Sequence, residues 1–286
     1  MLALPGKQRA TADSNRRWIA RLPNAVSFAQ VAILCVASLV FFASFAAAAA
    51  DRKSDYPVPE DGAIKNAVYV NEYFGLRYPL PANWTEDLAG PEPSVNGYYS
   101  LVSLKPADSL GATILIAAQD NFFSAQPASS AMEFLTQTKQ HLDSSLSAPT
   151  APSELKIDGH SFARLDYEGA GLHHAIFVTE VRCHFLLFSL TSNNPEELDA
   201  LVNSLNKISF AASADAHWPA CVKDYATGAN ILHRVTPELT GPRFASVPAR
   251  LIVGANGKVL HVHAIAGFPD QKKSVAAALA QWEFTP

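Results

Sequence analysis

The strongest indication of the fold is AIFVTEVRCHFLLFSLTS, Ala175 to Ser192. Its β-branched, aromatic and aliphatic residues are typical of a buried strand, so we predict one long strand here. The segment that follows, NPEELDALVNSLNKI, begins with Asn194 as a cap and Pro195 at the first helical position. Acidic residues then occupy the first turn, which favours a helix.

Shorter alternating runs precede this segment and are separated by turn residues. Between them lies SAMEFLTQTKQHLDSSL, in which Ser130 is a plausible cap and apolar residues recur at helical spacing, so we predict a helix. The order of strands, helix, strands and helix predicts an α+β domain over residues 65–212, an antiparallel sheet with packed helices. The runs are AVYVNEYFGLRYPLP (67–81), GYYSLVSLK (97–105), ATILIAAQ (112–119), ELKI (154–157) and SFARLDYE (161–168).

The amino-terminal segment predicts export from the cytoplasm. The first 24 residues hold five basic residues and one acidic residue, and residues 25–50 then contain no charge. Such a stretch is long enough to cross a bilayer as a helix, and its alanine run before Asp51 also resembles a signal-peptide cleavage site. Both alternatives stay open, a retained inner-membrane anchor and a cleaved signal peptide. Both place the rest of the chain in the periplasm.

Composition limits the classes of function. The net charge of −4 and the pI of about 6.1 give no indication of a nucleic-acid partner. Cys183 and Cys221 would lie in an oxidising compartment, where they either form a disulfide or remain a buried thiol and a loop thiol. No CxxC motif is present, which argues against a zinc ribbon or a thioredoxin-like site.

The carboxy-terminal part contains a second pattern. After polar linkers at residues 51–64 and 213–228, ARLIVGANGKVLHVHAIAG (249–267) alternates on both sides of Asn256-Gly257, a pair that predicts a type I′ hairpin turn. FPDQKKSVAAALAQWEF (268–284) then predicts a helix. We assign these elements to a terminal module over residues 229–286.

Two family resemblances follow from these motifs. YFGLRYPLPANW (73–84) and the order of strands and helices over residues 65–212 resemble the PsbP-like fold, whose members are mostly non-catalytic binding or assembly modules. Residues 247–286, with ANGKV in the hairpin and QWEFTP after the helix, resemble the TonB carboxy-terminal domain. That family adds a strand from an outer-membrane transporter to its own sheet. The resemblance implies partner contacts at seven positions: Arg250, Ile252, Lys258, Leu260, Val262, Trp282 and Phe284.

The terminal module departs from the TonB pattern. A further strand is expected after W-x-F-x-P, a proline-rich spacer is replaced by a globular domain, and residues 25–50 lack the histidine that couples to a proton-driven motor. A hairpin with one helix is too small to be stable alone. A third strand is therefore expected from Asn230–Val235, from the preceding domain or from downstream of Pro286, to which Phe284 leads.

Catalytic and metal signals are weak. GHSFA, residues 159–163, approaches a nucleophile elbow, but Ser161 is predicted to open a strand after the turn at Asp158-Gly159 rather than a helix. His261 and His263 share a strand face and are the weak candidates for metal ligands, without an evident third ligand. We expect no enzyme and no cofactor.

The sequence therefore favours a non-enzymatic cell-envelope protein that acts by protein–protein interaction, with outer-membrane transport implied by the resemblance. The alternative is a periplasmic ligand-binding or assembly module with a degenerate TonB-like tail. A periplasmic hydrolase that uses Ser161 or the His261/His263 pair is the third hypothesis.

Overall fold

A computed structural model gives the architecture of the chain. The predicted basic tail and apolar segment lie outside the described residues. Within the described part, no helix is both long enough and apolar enough to cross a membrane. Ser54–Pro286 form one compact unit. The structure describes residues 56–87, 90–108, 111–147, 150–211, 220–222, 228–238 and 246–286.

The centre of this unit is a seven-stranded antiparallel sheet. A four-stranded antiparallel sheet lies beside it. These strands, with few helices, confirm the predicted α+β class. The large sheet has the order β4 (Trp84–Glu86), β5 (Tyr98–Pro106), β6 (Ala112–Asp120), β10 (His184–Ser192), β9 (Leu172–Val181), β8 (His160–Gly169) and β7 (Ser153–Ile157). The small sheet has the order β1 (Ala63–Lys65), β2 (Val68–Asn71), β3 (Leu76–Pro79) and β11 (Ser209–Phe210).

Two helices cover the large sheet. Helix α1 (Ala131–Gln140) packs over a small apolar cluster around Leu135. Helix α2 (Pro195–Ser204) and the small sheet share the main core with the large sheet. The predicted caps are confirmed, because Ser130 accepts from the Glu133 N–H and Asn194 accepts from the first-turn N–H groups of α2.

The prediction of one continuous strand over Ala175–Ser192 is wrong. The segment belongs to two strands, β9 and β10, joined by a tight turn at Arg182 and Cys183. Both turn residues have positive φ, 49° and 65°, as a type I′ hairpin requires. Because neither residue is glycine or asparagine, the sequence carries no local signal for this turn.

The terminal segment forms the predicted hairpin and helix. Strands β13 (Ala249–Val253) and β14 (Val259–Ala264) pair antiparallel, and helix α3 (Pro269–Leu279) follows and packs on β14. The predicted turn type is wrong, because Gly257 has a φ of 76° whereas Asn256 does not have a positive φ. The Gly257 N–H bonds to the Gly254 carbonyl, which makes a type I turn with a glycine bulge.

Phe284 was predicted to lead out of the module, but the stretch QWEFTP instead folds back onto it. Glu283–Phe284 form β15, which pairs with β12 (Ile231–His233). The Phe284 N–H donates to the Gly257 carbonyl at 2.8 Å, and the Phe284 side chain is 1% exposed. Asn230–Val235 thus supplies a strand, as one of the expected sources, but it pairs with β15 rather than with the hairpin.

Candidate functional site

Asp120, at the end of β6, is a buried carboxylate held by Arg250 from the terminal hairpin. Arg250 donates from Nε to Oδ2, and its Nη2 lies 2.8 Å from Oδ1. The Phe122 backbone N–H also donates to Oδ1 at 2.8 Å. The Asp120 side chain is 0% exposed and the Arg250 side chain 18%. A buried carboxylate is very unfavourable unless it is paired with a cation. Since the cation here comes from the terminal hairpin, the ion pair fixes the hairpin on the large sheet.

Arg250 makes two further contacts with the body of the protein. Its Nη2 donates to the Cys183 carbonyl at 3.2 Å, and its guanidinium carbon lies 4.5 Å from the centre of the Phe122 ring. Burial alone would lower the pKa of Arg250, but the hydrogen bond and the charge of Asp120 raise it above the ordinary value. Arg250 is therefore a fixed cation that fastens β13 to β6 and to the β9–β10 turn.

His184 lies beside this ion pair and is fully buried. Its Nδ1 is 2.8 Å from the Arg182 carbonyl, so Nδ1 carries the proton and donates it. Nε2 is then an acceptor 3.5 Å from Asp120 Oδ2, without a hydrogen-bond partner among the described residues. Aromatic rings surround the imidazole edge to face: Tyr73, Phe74 and Tyr99. We call Asp120, His184, Arg250 and Tyr99 the Asp120 cluster.

We predict that acid destabilises the protein through His184. Burial, followed by the charge of Arg250, lowers the pKa of His184 from 6.5 to about 4, while Asp120 opposes the shift. The unfolded chain therefore binds more protons than the folded chain between these two values. The stabilising effect of neutral His184 is complete above pH 6.5, and about 3 kcal/mol of unfolding free energy is lost progressively as the pH falls from 6.5 to 4.

Urea unfolding at several pH values between 7.5 and 4 measures this loss. The control is His184→Gln, which cannot take up a proton and should show a flatter dependence of unfolding free energy on pH. His263 also faces His184 and is kept intact in both proteins. Equal pH dependence in the wild type and in His184→Gln would contradict the prediction.

Tyr99 completes the cluster on β5. Its ring is 1% exposed, and its hydroxyl has no hydrogen-bond partner among the described residues. Burial raises the pKa of Tyr99, and the negative charges of Glu60 and Asp120 raise it further. Tyr99 is therefore a neutral phenol, and its ring stacks 6.3 Å from that of His263 on β14.

The two histidines proposed as weak metal ligands are engaged in other contacts. His263 Nε2 lies 3.1 Å from Glu60 Oε1, and the His261 ring lies 5.5 Å from that of Tyr56. In the described ranges, no three His, Cys, Asp or Glu side chains are grouped so that they could hold a metal ion. Ser161 is exposed near the start of β8, immediately after the Asp158-Gly159 turn, as its sequence predicts.

Among the residues expected to contact a partner, Arg250 and Phe284 have side chains that are largely buried. Arg250 is paired with Asp120, and the side chain of Phe284, which belongs to β15, is 1% exposed. Contact of these residues with a partner stays a prediction. Lys258 forms an exposed ion pair with Glu283, and Trp282 donates from Nε1 to the Val235 carbonyl at 2.8 Å. Among the others, Leu260 is 52% exposed, whereas Ile252 and Val262 are half-buried.

Cys183 and Cys221 are joined by a disulfide, with their Cα atoms 6.0 Å apart. This bond lies next to the Asp120 cluster, because the Cys183 carbonyl is the acceptor for Arg250. It ties residues 220–222 to the β9–β10 turn.

Sequence reasoning did not identify Asp120, His184 or Tyr99. Asp120 follows the apolar run ATILIAAQ, and His184 stands within a longer apolar run, where both residue types are uncommon. The sequence signal that could have indicated this site is a charged or titratable residue at the end of a buried strand. Its partner Arg250 lies 130 residues away in the sequence, so no local pattern could have supplied it.

Comparison with known proteins gives no family assignment. No protein-family model matches the chain, and no curated protein matches it. Among solved structures, the chain is similar to cyanobacterial PsbP (CyanoP) from Synechocystis sp. PCC 6803, at 14% identity and a TM-score of 0.37, over 52% of this chain and 96% of that chain. It is also similar to PA94 from Pseudomonas aeruginosa, a protein of unknown function described as a putative regulator. There the identity is 18% and the TM-score 0.29, over 46% of this chain and 88% of that chain.

Proposed function

We propose that this chain is a non-enzymatic cell-envelope protein that acts by protein–protein interaction, and that a partner strand binds at the outer edge of β13. The observation that carries the proposal is the open edge itself. Strands β13 and β14 form a two-stranded sheet, and among the described residues β13 pairs with no other strand. Strand addition requires such an unpaired edge.

One face of the hairpin is already occupied by contacts with the large sheet. Arg250 and His263 stand opposite each other and point toward the large sheet, where they contact Asp120 and Tyr99. Helix α3 packs on β14 from the segment that follows. The start of β14 is not available to a partner strand, because Lys258 already forms a β-bridge with Glu283 of β15.

The register shows which backbone groups face the open edge. The Ile265 N–H donates to the Pro248 carbonyl at 2.9 Å, so this pair is hydrogen-bonded. Bonded and non-bonded pairs alternate along an antiparallel ladder. The pairs at Ala249 and Leu251 are therefore non-bonded, and the N–H and C=O groups of these two residues point away from β14.

Features outside the terminal hairpin support an envelope location. The basic segment followed by 26 uncharged residues predicts export, and a disulfide is typical of an oxidising compartment. The same proposal includes three more specific statements. Residues 247–286 form a TonB-like domain, residues 65–212 form a PsbP-like domain, and the protein takes part in outer-membrane transport. Coupling to a proton-driven motor is not part of it.

Leu251→Pro tests the open edge. Proline removes the outward N–H of Leu251 and places its ring on the edge, while the ladder bonds to β14 remain. We expect about tenfold weaker retention of a partner from solubilised cell envelope, since one hydrogen bond is worth up to about 1.5 kcal/mol. Retention is measured by mass spectrometry after capture on the immobilised protein.

Leu251→Ala is the matched control, because it loses the same side chain but keeps the N–H. Circular dichroism verifies that both variants are folded. Equal retention by Leu251→Pro and Leu251→Ala would exclude the edge, and capture of no envelope protein by the wild type would exclude the interaction.

A second candidate function is a periplasmic binding or assembly module in which the terminal segment only supports the central domain. The observation that favours it is shared packing: Ile265 and Ala266 belong to the same core as the large sheet. Deletion of residues 229–286 separates the two candidates. A deleted protein that folds and retains its envelope partner would support the assembly module.

A further inference from the structure

We infer that the Cys183–Cys221 disulfide is a thiol-exchange site whose reduction releases the terminal hairpin from the large sheet. The inference rests on the proposed function in one respect only: the expected consequence of the release is that a partner gains access to the hairpin. The release itself is a property of the chain alone. It follows from the position of Cys183 at the point where β13 is fastened.

Cys183 lies in a turn held by contacts from several parts of the fold. Its carbonyl accepts from the Asn121 N–H at 3.0 Å and from Arg250 Nη2 at 3.2 Å. The adjacent Arg182 donates from Nη1 to the Glu72 carbonyl at 3.2 Å. One turn therefore joins the β6–α1 connection, the β2–β3 turn and the terminal hairpin.

The backbone of this turn is unfavourable by itself. Arg182 and Cys183 have φ values of 49° and 65°, a region that residues with a Cβ atom rarely occupy. Such a conformation persists only where the surrounding structure holds it. The disulfide is one of these restraints, so its loss allows the turn to relax and moves the carbonyl that Arg250 uses.

The disulfide is open to attack from one side. Cys183 is 8% exposed, whereas Cys221 is exposed, so an incoming thiol reaches the sulfur of Cys221. The thiolate of a dithiol attacks Cys221 Sγ, the Sγ–Sγ bond breaks, and Cys183 leaves as a thiolate that takes up a proton. The second thiol of the reagent then resolves the mixed disulfide and becomes part of the oxidised reagent. The protein gains two electrons and two protons and holds two free thiols.

Reduction acts on the hairpin through the β9–β10 turn. In the oxidised protein, the disulfide ties residues 220–222 to this turn. The same turn supplies the carbonyl for Arg250. Breaking the disulfide removes a restraint on this carbonyl acceptor, and this change favours undocking of the hairpin.

Hydrogen–deuterium exchange of the full chain, with and without dithiothreitol, tests the inference. We expect the backbone amides of residues 249–264 to exchange at least tenfold faster after reduction, and to accelerate more than those of Ala112–Asp120 in the large sheet. Mass spectrometry of alkylated protein verifies the redox state. The Cys183→Ser/Cys221→Ser variant should exchange like the reduced wild type, without any reagent.

Two results would overturn the inference. One is an unchanged exchange rate for the hairpin in fully reduced wild type. The other is acceleration of the hairpin and Ala112–Asp120 by the same factor, which would make the disulfide a stabiliser of the whole fold only. Neither measurement requires a partner, so the strand-addition proposal is tested separately by Leu251→Pro.

Discussion

Arg250→Met is expected to lower the free energy of unfolding by about 3–5 kcal/mol. The substitution leaves the Asp120 carboxylate fully buried without its cation. Among the described residues, only the Phe122 N–H then donates to it, and His184 presents an acceptor nitrogen rather than a donor. An unpaired buried charge is far less favourable than a pair, because water can no longer solvate it. The loss should therefore exceed that from any surface ion pair in the described part of the chain.

Urea unfolding followed by circular dichroism measures this loss. The matched control is Lys258→Met, which removes an ion pair with Glu283 in which both side chains are exposed, at 55% and 42%. An exposed pair contributes about 0–1 kcal/mol, so the control should change little. A loss under about 1 kcal/mol for Arg250→Met, comparable to the control, would show that the pair does not hold the hairpin.

A double variant separates the ion pair from simple loss of packing. Asp120→Leu together with Arg250→Met removes both charges and fills the space with apolar atoms. We expect it to be more stable than Arg250→Met alone, since replacing a whole buried pair is often neutral or stabilising. Equal stability of the single and double variants would contradict an electrostatic cause.

Phe284→Ala is expected to destabilise the protein by about 3–5 kcal/mol, the usual cost of removing a buried aromatic side chain. The ring is 1% exposed, and β15 joins β12 to the turn at Gly257. A Cβ atom on Gly257 would clash with the Phe284 carbonyl, which shows how closely the two segments approach. The loss therefore includes a cavity and weaker docking of β15.

Two further variants test this prediction by the same unfolding measurement. Phe284→Leu keeps most of the apolar volume and should lose much less than Phe284→Ala. Leu260→Ala removes an apolar side chain that is 52% exposed on β14 and should change the free energy by under about 1 kcal/mol. If Phe284→Ala were as mild as Leu260→Ala, β15 would not be part of the folded core.

Local elements of the fold could be predicted because their signals lie within a few residues. Ser130 and Asn194 each accept hydrogen bonds from N–H groups two or three residues later, so short sequence motifs are sufficient to predict where the two helices begin. The Asp158-Gly159 turn has φ values of 47° and 79°, which glycine and aspartate accept readily. The hairpin around Gly257 was found for the same reason, although its turn type was not.

Elements that depend on distant residues could not be predicted. The Arg182-Cys183 turn lacks turn-forming residues, and its contacts with Glu72, Asn121 and Arg250 come from other parts of the chain. The candidate site was missed for the same reason. A basic residue in a predicted hairpin looked like a surface group for a partner, whereas its carboxylate partner ends a strand far upstream.

By itself, the sequence determined the α+β class, the helix starts, the terminal hairpin and the expectation of export, because periodicity, capping and composition act locally. Only the tertiary structure decided that Arg250 faces inward to Asp120, that Phe284 closes a strand against β12, and that within the described ranges β13 pairs with β14 alone. These outcomes depend on which surfaces meet when the chain folds. Burial and charge pairing between residues far apart in sequence determine that choice, and no window of sequence contains both partners.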